Sequence, residues 1–127
     1  MVRKFVVLLI AAAFLIPPAG WAVTEQDFKV HTTKELLDLC TASSKDPLYR
    51  EAVNFCQGYL VGAYAYYAAV NAGPTGDRLV CFPEPPPSRV EGIRMFIDWL
   101  NVHPEYYGEK PVDTEFRFLM EKWPCKK

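Results

Sequence analysis

Histidine is scarce in this sequence, and basic side chains are not in excess. Fourteen lysine and arginine residues face 15 aspartate and glutamate residues, so the formal net charge is −1. A nucleic-acid-binding protein needs a basic face that displaces counterions from phosphates, so this balance argues against nucleic acid as a partner. His31 and His103 lie far from any cysteine in the sequence, and no two cysteines are two to four residues apart, so no metal-site spacing is present.

Motifs of catalysis and cofactor binding are also missing from the sequence. It contains no Gly-x-Ser-x-Gly segment, no phosphate-binding loop and no dinucleotide-binding fingerprint. Cysteines that are oxidised to disulfides cannot serve as nucleophiles. We therefore expect no catalytic residue, no metal and no cofactor, and binding to another protein becomes the default function.

The N-terminal apolar stretch is shorter than the ~20 residues that span a membrane. It covers 12 residues after Arg3 and Lys4. Gly20 and Ala22 are small residues near its end, and Ala22 is the predicted last residue before cleavage. A basic start, a short apolar stretch and small residues near a cleavage point are typical of a secretory signal peptide. We predict that residues 1–22 are removed, and that residues 23–127 form one mature periplasmic domain with 12 basic and 15 acidic side chains.

Periodicity and capping signals predict an all-α protein of about four helices. Two Ser/Thr-x-x-Glu capping boxes, Thr32 with Glu35 and Ser88 with Glu91, mark helix starts. Asp46 followed by Pro47 predicts a third start, with the proline at the first helical position. No segment alternates with a period of two, so no sheet is expected. The predicted helices cover about 33–42, 47–72, 89–102 and 112–123.

The second predicted helix carries no charged residue between Glu51 and Asp77. A transmembrane helix and the central helix of a soluble bundle both fit this length. We favour the bundle because the stretch contains asparagine, glutamine and tyrosine, and is rich in alanine rather than leucine. Small residues at helical spacing form a stripe that we interpret as a close-packing surface for another helix. The stripe consists of Gly58, Gly62, Ala65 and Ala69.

The last predicted helix has two acidic residues near its start, Asp113 and Glu115. We interpret both as solvated charges favoured by the helix dipole. The residues expected to face inward are Phe116, Leu119, Met120 and Trp123.

An even number of cysteines in a short exported chain indicates two disulfides. Short connections make neighbouring helices antiparallel, which brings Cys40 near Cys56 and Cys81 near Cys125. We favour these two pairs over the other two connectivities, which stay open at this point.

Four motifs in fixed order resemble the Rap/Tai family of immunity proteins over about residues 30–125. They are Phe-Cys-Gln-Gly-Tyr-Leu-Val-Gly at 55–62, Cys-Phe-Pro at 81–83, His-Pro-Glu at 103–105 and Trp-Pro-Cys at 123–125. The segment 33–40 is similar to the first helix of that family.

The resemblance implies a small helical periplasmic protein with disulfides, often dimeric, that binds a peptidoglycan amidase effector of type VI secretion and blocks its active-site groove. The matching residues have structural roles: the four cysteines, Gly58 and Gly62 as close-packing points, and Pro104 and Pro124 as helix ends.

Tyr106 and Tyr107, beside Gly108, are our candidate partner-binding anchor, because aromatic residues dominate interface energetics. The alternative is that the two tyrosines cover the core between the last two helices. Three other classes of protein remain as alternatives: a periplasmic acid-stress chaperone, a small membrane protein and an enzyme.

Overall fold

The computed structural model describes residues 22–126, so the predicted signal peptide lies outside the described residues except for Ala22. Two short 3-10 turns, Asp27–Lys29 and Pro104–Tyr106, accompany the helices. Within the described range no strand forms, and a single antiparallel bridge joins Val80 to Pro124. The predicted all-α fold class is confirmed. The four helices are α1 Thr33–Cys40, α2 Tyr49–Val70, α3 Arg89–Asn101 and α4 Pro111–Lys122.

Reciprocal caps fix the starts of α1 and α3, as the sequence predicts. The hydroxyl of Thr32 accepts a hydrogen bond from the backbone N–H of Glu35, whose carboxylate accepts one from the N–H of Thr32. Ser88 and Glu91 repeat this arrangement at α3. Each box satisfies two N–H groups that a helix start otherwise leaves unpaired.

The start of α2 differs from the prediction. The helix begins at Tyr49, so Pro47 lies in the turn before it rather than at its first position. The carboxylate of Asp46 accepts 2.8 Å hydrogen bonds from the N–H groups of Leu48 and Val23. Asp46 therefore joins the turn to the lead-in segment, where Val23 is buried in the core.

All four helices contribute to one hydrophobic core. Burying an aliphatic or aromatic side chain of this size stabilises the fold by roughly 1.5–3 kcal/mol. A layer of partly buried aromatic side chains packs around this centre, on the side of the loop that precedes α3. The core residues from the helices include Leu36, Leu39, Cys56, Leu60, Phe96, Leu100, Phe118 and Leu119.

Two disulfides close the helix pairs. Cys40 at the end of α1 bonds to Cys56 in α2, with their Cα atoms 5.2 Å apart. Cys81 before α3 bonds to Cys125 after α4, with a Cα separation of 4.9 Å. This is the pairing that the antiparallel arrangement favours, and neither disulfide joins the segment 40–56 to the segment 81–125.

The inward face of α4 is partly different from the prediction. Met120 is exposed, whereas Phe118 is buried in the core. Glu115 is only 4% exposed, so its interpretation as a solvated first-turn charge is wrong.

The small-residue stripe of α2 does not pack against another helix among residues 22–126. A Cβ atom added at Gly58 or Gly62 would meet nothing within 4 Å, and Ala65 and Ala69 are also exposed. The close-packing role expected of Gly58 and Gly62 is therefore wrong within one chain. The stripe faces outward because the buried side of α2 is formed by Ala52, Cys56 and Leu60.

The loop after α2 turns sharply at Gly76. A Cβ atom at this position would lie 2.4 Å from the carbonyl oxygen of Asn71, which no side chain tolerates without a shift of the backbone. Farther along, the hydroxyl of Tyr67 accepts hydrogen bonds from the N–H groups of Leu79 and Val80, at 2.6 and 3.2 Å. These contacts seat the loop against α2.

Candidate binding site

The candidate anchor segment lies between α3 and α4, where the chain forms the 3-10 turn. The side chain of Tyr107 packs against the core, whereas Gly108 is exposed. Tyr106 is half-buried, and its ring stacks on Trp99 of α3 at a centroid distance of 5.3 Å with planes 5° apart. The structure thus separates the two tyrosines: Tyr107 covers the core, and Tyr106 belongs to the surface.

Tyr106 is part of a surface cluster that we call the aromatic patch, defined by Trp99, His103, Tyr106 and Arg117. The guanidinium carbon of Arg117 lies 4.6 Å from the centroid of the Tyr106 ring, a cation–π arrangement. The imidazole of His103 lies 4.3 Å from Trp99, centroid to centroid. Its Nδ1 is 2.9 Å from the carboxylate of Glu105, and this hydrogen bond lowers the pKa of that exposed carboxyl.

Backbone hydrogen bonds hold the segment beneath the patch in place. The N–H of Lys34 donates to the carbonyl of Tyr107 at 3.0 Å, and the N–H of Thr33 donates to the carbonyl of Glu109 at 2.8 Å. The buried hydroxyl of Thr33 also donates to the carbonyl of Glu109 at 3.0 Å, and it shares a 2.8 Å hydrogen bond with the hydroxyl of Thr114. The first N–H groups of α1 thus use this segment as their acceptor, which limits its freedom to move.

A cavity of about 180 Å³ lies between α2, α3 and α4, below the loop that precedes α3. Ser88 and the exposed side chain of Arg89 lie at its edge, at the start of α3. Glu115 of α4 is the acidic residue among those that line it. The apolar walls include Leu60, Tyr64, Phe82, Ile93, Phe96 and Phe118.

Glu115 has an unusual environment for a carboxyl group. Its Oε2 atom is fully buried and has no hydrogen-bond partner among the described residues. Burial penalises the ionised form and raises the pKa of Glu115 to about 8. Burial also raises the pKa of the nearby Tyr59, and the negative charge of Glu115 adds to that rise. Glu115 is therefore mainly protonated at neutral pH.

The sequence did carry a signal for the burial of Glu115. The buried residues of α4 recur at intervals of three or four, which is the spacing of one helix face. Counting back four residues from Phe118 and Leu119 reaches Thr114 and Glu115. These two polar residues are therefore buried because of their position on the inward face of α4, despite their polarity. The buried residues of α4 are Pro111, Thr114, Glu115, Phe118 and Leu119.

The part of the chain that the structure describes has neither a cluster of metal-ligating side chains nor a membrane-spanning helix. Residues 22–126 contain no group of three or more His, Cys, Asp or Glu side chains placed to hold a metal ion. No helix within that range has the length and hydrophobicity to cross a bilayer. His31 is exposed, and its backbone N–H donates to the carboxylate of Glu35. His31 and His103 lie on different parts of the surface, each next to its own glutamate.

The fold defines the class of this protein as a small four-helix domain closed by two disulfides. Comparison with protein families is more specific: the family model of Rap1a immunity proteins matches residues 32–125. That range contains all four helices and both disulfides, so the chain belongs to the Rap1a immunity protein family. Comparisons with curated proteins and with solved structures give no match.

Proposed function

We propose that this chain is a periplasmic immunity protein that binds a peptidoglycan amidase effector of type VI secretion and occludes its active-site groove. Membership of the Rap1a immunity protein family is the observation that carries the proposal. Export through a signal peptide at residues 1–22 fits it, because disulfides such as these two persist in an oxidising compartment. The role is one of binding rather than catalysis.

The aromatic patch is the part of the surface that we propose for the contact with the effector. Tryptophan, tyrosine and arginine are the residue types that most often dominate interface energetics, and Trp99, Tyr106 and Arg117 provide all three. The backbone bonds to α1 hold the neighbouring segment, with Tyr107 and Gly108, in one conformation. A surface that is already ordered loses little entropy on binding, so more of the contact energy becomes affinity.

Calorimetry with the mature oxidised protein tests the proposal. The probes are purified peptidoglycan amidase effectors of type VI secretion, and their hydrolysis of peptidoglycan is measured in parallel. We expect binding and loss of hydrolysis, and we expect Tyr106→Ala to weaken binding by about tenfold or more. Val90→Ala shortens a side chain that is 68% exposed on α3, outside the aromatic patch, and serves as the control with unchanged affinity.

Several outcomes would contradict this proposal. Absence of binding, or binding that leaves hydrolysis intact, would overturn the immunity role. Equal affinities of the Tyr106 and Val90 variants would overturn the assignment of the aromatic patch. Tyr107→Ala needs a parallel measurement of unfolding, since the core contacts of Tyr107 give that variant a structural effect as well.

We also propose that the exposed face of α2 pairs with a second copy of the chain. Gly58 and Gly62 give this face a shallow surface with space beside it, and Tyr66 and Val70 are strongly exposed on the same helix. Gly62→Leu fits the single chain, because nothing lies within 4 Å of its Cβ position, but it would block close approach of another helix. Sedimentation should show dimers of the unmodified protein and monomers of the variant. A variant that remains dimeric would refute the assignment.

A further inference from the structure

We propose that the cavity lined by Glu115 is a binding site for an alkylammonium group, meaning a primary ammonium at the end of a short alkyl chain. Most of the residues that line it are apolar, and one of them is Glu115, whose buried Oε2 atom has no hydrogen-bond partner among the described residues. An apolar pocket with a small number of polar groups is the usual form of a ligand site. The proposal does not depend on the immunity role, since it concerns a different surface of the molecule.

The carboxyl of Glu115 supplies the reason for a cationic ligand. A buried polar group without a partner destabilises the protein, and a ligand that donates hydrogen bonds to it removes that penalty. None of the three ion pairs among the described residues includes Glu115. The helices around the cavity therefore leave this acceptor to a group from outside, and an ammonium group brings both hydrogen-bond donors and the opposite charge.

The size and walls of the cavity select the rest of the ligand. A cavity of about 150 Å³ with apolar walls accommodates a molecule the size of benzene, so 180 Å³ accommodates a chain of a few methylene groups. Such a chain would contact Leu60, Phe96 and Phe118 while its ammonium group reaches Glu115. A free alkylamine and the side chain of a lysine share this chemistry, and they differ only in what continues outside the opening.

Ionisable groups around the cavity determine how binding depends on pH. Tyr59 and Tyr64 belong to α2, Arg89 belongs to α3, and Asp113 lies on α4 with Glu115. Glu115 keeps its proton at neutral pH because burial raises its pKa to about 8, so an ammonium ligand must displace that proton. Affinity for the ligand should therefore rise with pH up to about pH 8, where Glu115 is ionised even in the absence of ligand. The amine itself stays charged up to about pH 10.

Calorimetry with n-butylamine as the probe tests the site, and n-butanol is the neutral probe of the same shape. We expect a Kd for n-butylamine in about the millimolar range and at least tenfold below that of n-butanol at about pH 8. Binding at about pH 6.5 should release close to one proton, measured from the dependence of heat on the buffer. Glu115→Gln should abolish the preference for the amine and the proton release, while retained binding of n-butanol would show that the cavity is intact.

Arg89→Ala provides a second test, because Arg89 is exposed and its removal leaves the core unchanged. A cationic ligand is repelled by Arg89, so this variant should bind n-butylamine more tightly and butyrate more weakly. The lysine derivative N-acetyl-lysine methylamide distinguishes the two sources: tighter binding than n-butylamine indicates a lysine side chain, and weaker binding indicates a free amine. Equal or better binding of n-butanol or butyrate by the unmodified protein, or absence of amine binding, would overturn the proposal.

Discussion

Replacing Glu115 with glutamine should change how the stability of this protein depends on pH. The pKa of the buried carboxyl is about 8 in the folded state, against an ordinary value of 4.5. Between these two values the folded protein keeps a proton that the unfolded chain has released. The free energy of unfolding therefore falls as pH rises through this window, by roughly 1.4 kcal/mol for each pH unit. Stability from the protonated carboxyl is fully present below about pH 4.5 and is lost by about pH 8.

The magnitude follows from the width of the window. Glutamine has nearly the shape of the protonated carboxyl and does not titrate, so the variant lacks this slope. From about pH 5 to about pH 7.5 the unmodified protein should lose roughly 3 kcal/mol of unfolding free energy relative to Glu115→Gln. This is a large share of the stability of an average small domain.

Urea unfolding at these two pH values provides the measurement, with both disulfides oxidised and helix content followed by circular dichroism. Only the difference between the two proteins is interpreted, because other carboxyls such as those of Glu91 and Glu105 titrate in both. A difference that stays the same within about 0.5 kcal/mol at both pH values would refute the reasoning. The same titration bears on the acid-stress alternative, since the raised pKa of Glu115 makes the fold more stable, not less, as the pH falls from about 8 to about 4.5.

Three further changes should affect stability by different physical routes. Thr33→Val leaves the buried hydroxyl of Thr114 without its partner and should lower the free energy of unfolding by about 1–3 kcal/mol, measured by urea unfolding; equal stability would count against that contact. Gly76→Ala should lower it by about 1–3 kcal/mol, because the added methyl group displaces backbone, and an unchanged melting temperature would contradict the tight turn. Replacing Cys81 and Cys125 by alanine opens a loop with a sequence separation of 44 and should remove about 4 kcal/mol. Chemical unfolding of the double variant checks this value, and a loss below about 1 kcal/mol would exclude the loop-closure account.

The helices were predictable from local signals, and their packing was only partly so. The capping boxes at Thr32 and Ser88 determine where α1 and α3 begin, because these contacts involve residues only three apart. The start of α2 could not be located in this way. Asp46 bonds to Val23, which is 23 residues away, and such a tertiary contact leaves no mark in the local sequence.

At the candidate site too, the local sequence did not predict which environment tertiary packing gives to particular residues. Polarity suggested that Glu115 faces water, whereas its place on the helix puts it beside Phe118 and Leu119 in the interior. The stripe at Gly58 and Gly62 indicated a close approach of helices, but no helix in the described part of the chain makes that approach. In both cases residue type suggested one environment, and the arrangement of the neighbouring helices produced another.

The order of the two disulfides has a consequence for how the protein is made. The first cysteine of the chain is joined to the second, Cys40 with Cys56, and the third to the fourth, Cys81 with Cys125. A polypeptide that enters an oxidising compartment with its N-terminus first presents its thiols in that same order. The first two thiols to arrive are already correct partners, and the next two find no other free thiol to react with. For a chain exported in this way, vectorial entry favours the native crosslinks, so we expect its folding to require an oxidant but no isomerase to exchange wrong pairs.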